Sequence, residues 1–289
     1  MHIVLSILTI ISLSINSLLQ DEQSEWTSLL DKDLSKWETY LSYSHTSLNI
    51  TGPPKDSTGA VISPVGLNHD SAKVFSTFEE NGDVVLRVSG RIYGCLGSLK
   101  EYGNYHLRMK VKWGKAKWPP RLHEIKDSGV LYHSRGDYGV DYWYTWKMSQ
   151  EFQIAEHCFG DYWSIAGAMM DIRCRVPAGE QSFIYTSSAP LISERGNGGY
   201  CRRETDCELA DGEWNTIDLL CCGDKSLHIV NGTVVMALEH SRYVKDGIEV
   251  PLTKGTIQIQ SEGAEVFYKD IQIKPIAAFP DTYASYFQK

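Results

Sequence analysis

An all-β sandwich is the fold the sequence predicts, and three observations carry it. Several short segments alternate apolar and polar residues with the period of two that a half-buried strand requires. Asn81-Gly82 and Asn231-Gly232 are tight-turn dipeptides placed between such segments. Nowhere does a long 3.6-residue helical period appear, and short strands at regular spacing with Gly/Asn turns build sandwiches. A chain of 289 residues can bury a substantial core, and no internal repeat or low-complexity linker divides it. The expected organisation is a leader over residues 1–20 and a single domain over 21–289.

Taken in order, residues 3–15 (IVLSILTIISLSI) are an almost uninterrupted apolar run ending in small and polar residues. The run is short for a membrane span and sits where a secretory signal belongs, so the chain is expected to be secreted or periplasmic, without stable membrane insertion. Residues 25–37 (EWTSLLDKDLSKW) form a short opening segment, and 49–72, with Pro53, Pro54, Gly59, Pro64 and Gly66, read as loop. GDVVLRVSG (82–90) follows the first Asn-Gly turn. In YHLRMKVKW (105–113), Leu107, Met109 and Val111 share one face, and His106, Arg108, Lys110 and Lys112 the other. WGKAKWPPR (113–121) is a Trp- and Pro-rich loop. Residues 169–211 are the least regular part and read as a surface excursion in which Cys201 and Cys207 close a short polar loop. Strands resume at NTIDLLCC (215–222), SLHIV (226–230) and TVVMAL (233–238), and TKGTIQIQSEG (253–263) and VFYKDIQIKPI (266–276) close the domain.

A net charge of −8 without a basic stripe excludes a nucleic-acid partner. The 8 Trp and 16 Tyr suit an aromatic-rich β protein in which some rings serve as sugar-stacking platforms. None of the seven cysteines has the CxxC spacing of a zinc site.

Chemistry-bearing residues concentrate in 127–168 (DSGVLYHSRGDYGVDYWYTWKMSQEFQIAEHCFGDYWSIAGA). Parity puts Val130 and Tyr132 on one face, and Leu131, His133 and Arg135 on the other. With Phe152 and Ile154 toward the core, Glu151 and Gln153 stand together on the open face.

Three blocks resemble the family once called domain of unknown function 1080, the 3-keto-disaccharide hydrolases. They are WGKAKWPPR…KDSGVLYH (113–133), EFQIAEHCFGDYW…GA (151–168) and GEWNTIDLLC…HIVNGTVVM…TKGTIQIQSEGAEVFYKDIQI (212–273). The resemblance implies a concanavalin A-like jelly-roll sandwich with a concave sugar-binding face. It also implies an enzyme acting on a carbohydrate, a glycoside oxidised at C3. The ketone acidifies the C2 proton, so a base removes it, the C1 leaving group departs, and water adds to the enone. That chemistry needs a base, a proton donor and enolate stabilisation. Glu151 is the expected base, with Gln153 orienting it or the sugar, and His133 the expected donor or ketone-polarising group. Arg121, Asp127, His157 and Asp161 are candidate rim groups, and Trp118, Trp143 and Trp146 candidate stacking surfaces.

A cofactor is not demanded by the sequence; a divalent metal ion is the one candidate, with His133, Glu151 and His157 as its ligands. Two further readings stand beside the first. E-x-Q-x-x-E at 151–156 is close to the E-x-D-x-x-E of laminarinase-like retaining glucanases, with Glu151 as nucleophile and Glu156 as acid/base. Residues five apart in a strand face opposite sides, so that reading requires a bulge after Gln153. The other is a non-catalytic carbohydrate-binding module.

Overall fold

Alternation along the chain becomes two layers in space. A computed structural model describes residues 25–193 and 199–287; the expected leader lies outside these residues. In the strand Tyr105–Lys117, Leu107, Met109 and Val111 are buried while Arg108 is exposed and Lys110 and Lys112 half-exposed. Its apolar face meets that of a second layer, where Val130, Tyr132, Phe152, Ile154, Ile257 and Ile259 point inward. Ile217, Leu219, Val266 and Tyr268 complete the same continuous core. Each such buried aliphatic or aromatic side chain contributes about 1.5–3 kcal/mol, which is what holds the two layers face to face.

The front layer runs Gly66–Leu67, Trp37–Leu41, Gly94–Ser98, Thr256–Ser261, Asp127–Arg135, Met148–Ala155, Tyr162–Ile165, Tyr200–Arg202 and Phe183–Tyr185. The back layer runs Phe75–Glu80, Asp83–Val88, Ala264–Pro275, Tyr105–Lys117, Asn215–Cys222, Lys225–Val230, Thr233–Lys245 and Ala168–Arg175. The result is an all-β jelly-roll sandwich. Both Asn-Gly dipeptides turn hairpins with two successive left-handed residues, Asn81 (φ 55°) then Gly82 (90°), and Asn231 (48°) then Gly232 (81°). That pair of positive φ values matches the twist of the flanking strands. Among the described residues no helix is long and apolar enough to cross a membrane.

Residues 169–211 are more ordered than their composition suggests. Ala168–Arg175 pairs with Thr233–Lys245 in the back layer and with Phe183–Tyr185 in the front, so one strand joins the two layers at this edge. A second core fills the junction, built from Met170, Ile172, Tyr185, Leu227, Met236 and Leu238 and covered by Phe279, Tyr283 and Phe287 of the C-terminal tail. Cys201 lies in this second core with Cys174, whereas Cys207 packs against the main core. The loop expected to be closed by Cys201 and Cys207 is therefore held by burial of its two ends in different cores.

The inter-sheet core sets the stability of the site it carries. Phe152 is fully buried, its ring 4.4 Å from that of His228. Replacing Phe152 by Ala removes that contact and leaves a cavity, and is expected to cost about 3–5 kcal/mol in urea or thermal unfolding. A loss below 1 kcal/mol would mean that this position is not part of a close-packed core.

Candidate active site

Parity that buries Phe152 and Ile154 turns Glu151 and Gln153 outward on the front layer. The pairing of Asp127–Arg135 with Met148–Ala155 is regular from Asp127↔Ala155 to Tyr132↔Gln150, so Leu131 sits opposite Glu151 and Gly129 opposite Gln153. On the other side Trp163 sits opposite Glu151, and Tyr200 opposite Trp163. One row across the open face thus reads Leu131, Glu151, Trp163, Tyr200. A cleft of about 380 Å³ lies over it, walled by Arg121, Asp127, Asp141, Tyr142, Trp143, Trp146, Gln260 and Glu262.

Gly129 is what lets the polar groups converge. A Cβ there would lie 2.2 Å from Glu151 Oε1 and 2.5 Å from Gln260 Oε1, so both oxygens rest over bare backbone. Arg121 comes from the Trp- and Pro-rich loop and is the cation of the cleft. Its Nη2 forms an ion pair with Asp127 Oδ2 at 2.8 Å and donates to Glu262 Oε1. Asp127 Oδ1 and Gln260 Oε1 are buried without a hydrogen-bond partner. Glu151 is 3% exposed and makes no ion pair among the described residues.

One guanidinium cannot compensate the desolvation of three carboxyls. Burial pushes Glu151 well above the usual carboxylate range, and the charges of Glu262, Asp127 and Asp141 push it further. Burial raises Asp127 to about 6 against the opposing pull of Arg121. Glu262 rises to about 8, through burial and the charge of Asp127, even though it touches Arg121. Burial and mutual repulsion thus favour the protonated form within the cluster, and Glu151 is the member without a direct ion pair.

Asp141 organises the aromatic wall. Its Oδ2 accepts from Trp143 N at 2.8 Å, and its Oδ1 from the backbone N–H of Thr145 and Trp146, each at 2.7 Å. The turn so formed presents Trp143 and Trp146 to the cleft, with Trp146 Nε1 donating to Gly94 O at 2.9 Å.

Of the residues expected from sequence, Glu151, Gln153, Asp127, Arg121, Trp143 and Trp146 come together here, and four do not. His133 leaves the open face because the register shifts between Tyr132 and Arg135 and its own φ is 52°. Its ring turns into the interior beside Tyr105 and Tyr132, Nδ1 donates to Leu252 O at 3.0 Å, and burial lowers its pKa to about 4. Gly255 makes room for that bulge: a Cβ there would lie 2.4 Å from the His133 carbonyl carbon. Trp118 is turned away, its Nε1 donating to Ser89 O at 3.0 Å under Arg91. His157 is on an exposed loop against Asp206. Asp161 is fully buried, accepting from Arg203 N and Nη1 at 2.9 Å and from Tyr200 Oη at 2.6 Å. With His133 inside and His157 on the surface, the metal-ligand set drawn with Glu151 does not converge. Glu156 is bound by Lys126 at 2.8 Å outside the cleft, and the regular register supplies no bulge to bring it in. Sequence reasoning missed Glu262, Gln260, Asp141 and Trp163.

The elevated pKa of Glu151 has a consequence for folding. A carboxyl that binds its proton more tightly when folded loses stability as pH rises from the unfolded value, about 4.3, toward the folded one. Glu151→Gln has no such titration, so its stability relative to wild type is expected to increase from about pH 5 to pH 8 in urea unfolding. A difference independent of pH would show Glu151 to be ionised at neutral pH. Gly129→Ala, by contrast, is expected to fold yet lose most of any activity at the cleft, because the new methyl displaces Glu151 and Gln260; circular dichroism beside a turnover or sugar-binding assay checks this.

Residues 25–274 match the family model described as the 3-keto-alpha-glucoside-1,2-lyase-like domain. Two crystal structures of provisionally assigned glycosyl hydrolases from Parabacteroides distasonis ATCC 8503 are similar to it. One is 16% identical over 87% of this chain and 94% of the other, with a TM-score of 0.46. The second is 18% identical over 87% and 100%, with a TM-score of 0.47. The carbohydrate binding module CBM66 from Bacillus subtilis is 7% identical over 69% and 91%, with a TM-score of 0.40. No curated protein sequence matches the chain. The match over 25–274, in a jelly-roll sandwich with an acidic, aromatic-walled cleft, shows that the chain belongs to the 3-keto-alpha-glucoside-1,2-lyase-like family.

Proposed function

We propose that this protein cleaves glycosides carrying a ketone at C3 by elimination, and that the expected leader exports it to act on them. The observation that carries the reading is the division of labour among the cleft carboxyls. Asp127 has one oxygen on Arg121 and the other buried and unpartnered, whereas Glu151 makes no ion pair among the described residues and is pushed well above the usual carboxylate range by burial. The sequence assigns the base role to Glu151; the geometry favours Asp127 as base and Glu151 as acid.

In this scheme Asp127 Oδ1 takes the proton from C2, and the electron pair of that C–H bond passes into the enolate of the C3 ketone. Arg121 is the cation available to offset the developing negative charge. The enolate expels the C1 substituent with the electrons of the C1–O bond, and Glu151 gives its proton to the departing oxygen. The product is a 1,2-unsaturated 3-keto sugar. Water adding across that double bond, oxygen to C1 and proton to C2, completes a net hydrolysis. Aromatic walls from Trp143 and Trp146 limit competing water and strengthen each charge interaction.

Matched glucosides with and without the 3-keto group test this. Cleavage is expected for the keto sugar alone, with a loss of about 10²–10⁴-fold in both Asp127→Asn and Glu151→Gln. Glu151→Gln should still exchange the C2 proton with solvent deuterium, whereas Asp127→Asn should not. The rate should rise with pH through about 6, as Asp127 ionises, and fall on the alkaline side as Glu151 loses its proton. Cleavage of the plain glucoside would instead favour retaining-glucanase chemistry, and binding of the keto sugar without turnover a carbohydrate-binding module.

A further inference from the structure

We propose that Trp163, backed by Tyr200, is the platform on which the leaving group of the glycoside lies, and that it selects leaving groups with a flat face: a second pyranose ring or an aryl group. The inference rests on the proposed elimination at Glu151 and extends it to the other half of the substrate. A cleft of about 380 Å³ is near the lower end of ligand pockets, roughly 300–1,000 Å³. It has room for the reacting ring, and the rest of a glycoside meets the residues along its rim, Trp163 among them.

The position of the acid decides which rim. Glu151 must reach the glycosidic oxygen, so the leaving group begins beside it. Trp163 is directly opposite Glu151 in the neighbouring strand, on the same face of the sheet. Residues paired this way have Cβ atoms about 4.5–5.5 Å apart, within reach of one sugar unit.

The three tryptophans that wall the cleft differ in what is free. Trp146 is 2% exposed and tied to Gly94. Trp143 is wedged among His45, Tyr93 and Tyr142, with Arg121 over its ring. Trp163 is 38% exposed, and its ring is supported by Tyr200 at 4.4 Å with a 34° tilt. Tyr200 is in turn fixed through its hydroxyl to Asp161, which Arg203 holds in the interior. A rigid, backed indole at the mouth of an acidic cleft offers the C–H face of a pyranose, or an aryl ring, an apolar partner that needs no reorganisation. Asp161 acts in this arrangement as a positioning residue for the platform.

The test compares Trp163→Ala with wild type on three 3-keto-glucosides: methyl, phenyl and a disaccharide. Turnover is measured with Glu151 intact, and affinity by calorimetry in the Glu151→Gln background. The expected result is a loss of about tenfold in kcat/KM and in affinity for the phenyl and disaccharide compounds, with the methyl compound changed by less than about twofold. Trp163→Phe should restore most of the loss, which separates a stacking role from a folding defect. Equal losses on all three compounds, no loss on any, or a selective loss produced instead by Tyr142→Ala, another exposed aromatic of the cleft wall, would overturn the assignment. Binding that shows the selective Trp163 effect without turnover in wild type would keep the subsite and reject the elimination. Absence of binding by any of the three compounds would reject both.

Discussion

A single guanidinium holds the open face of this sandwich together. Arg121 joins the loop after Tyr105–Lys117 to Asp127 at the start of one front strand and to Glu262 just past the end of another. Its side chain also lies over Trp143, and its Nε donates to Tyr93 Oη at 3.3 Å. Close approach is possible because Gly263, at φ 76°, leaves space where a Cβ would come within 3.2 Å of the Arg121 side chain. Removing one partner of such a buried pair typically costs about 3–5 kcal/mol, because the carboxylates left behind stay desolvated. The same guanidinium thus fixes the shape of the cleft and sets how many protons it holds.

Periodicity was legible wherever strands were regular. The alternation in VLY and EFQI correctly assigns Val130, Phe152 and Ile154 to the core and Glu151 and Gln153 to the open face. His133 breaks the rule two residues after Leu131, since one left-handed residue at a bulge reverses a side chain without altering the hydrophobic pattern. Glu262 and Gln260 could have been found from TIQIQSE, where Ile257 and Ile259 face inward and every second residue shares the face of Glu151. Arg121 and Asp141 lie in loops, and their placement depends on contacts across many residues that no local period encodes. Asp161, His157 and Trp118 look equally polar or aromatic on paper, but their partners are Arg203, Asp206 and Ser89.

The irregular stretch 169–211 proved to be structural rather than decorative. Its short strands extend the front layer beyond Tyr162–Ile165, and their core residues are supplied partly by the back layer and partly by the C-terminal tail. Short strands have weak periodic signals, so the order of this region was hidden until their neighbours were known. Tyr200, which supports Trp163, comes from that region, and so the excursion contributes directly to one rim of the cleft.

The turn built on Asp141 has an effect beyond shaping a loop. The carboxylate that collects three backbone N–H groups from residues 143–146 is also one of the charges that disfavour ionisation of Glu151. When the turn is formed, indoles exclude water from the cleft and that charge is held in place. Were it to open, water would solvate the carboxyl and Glu151 would ionise more readily. Order in the aromatic loop and proton affinity in the cleft are therefore coupled through one carboxylate, Asp141.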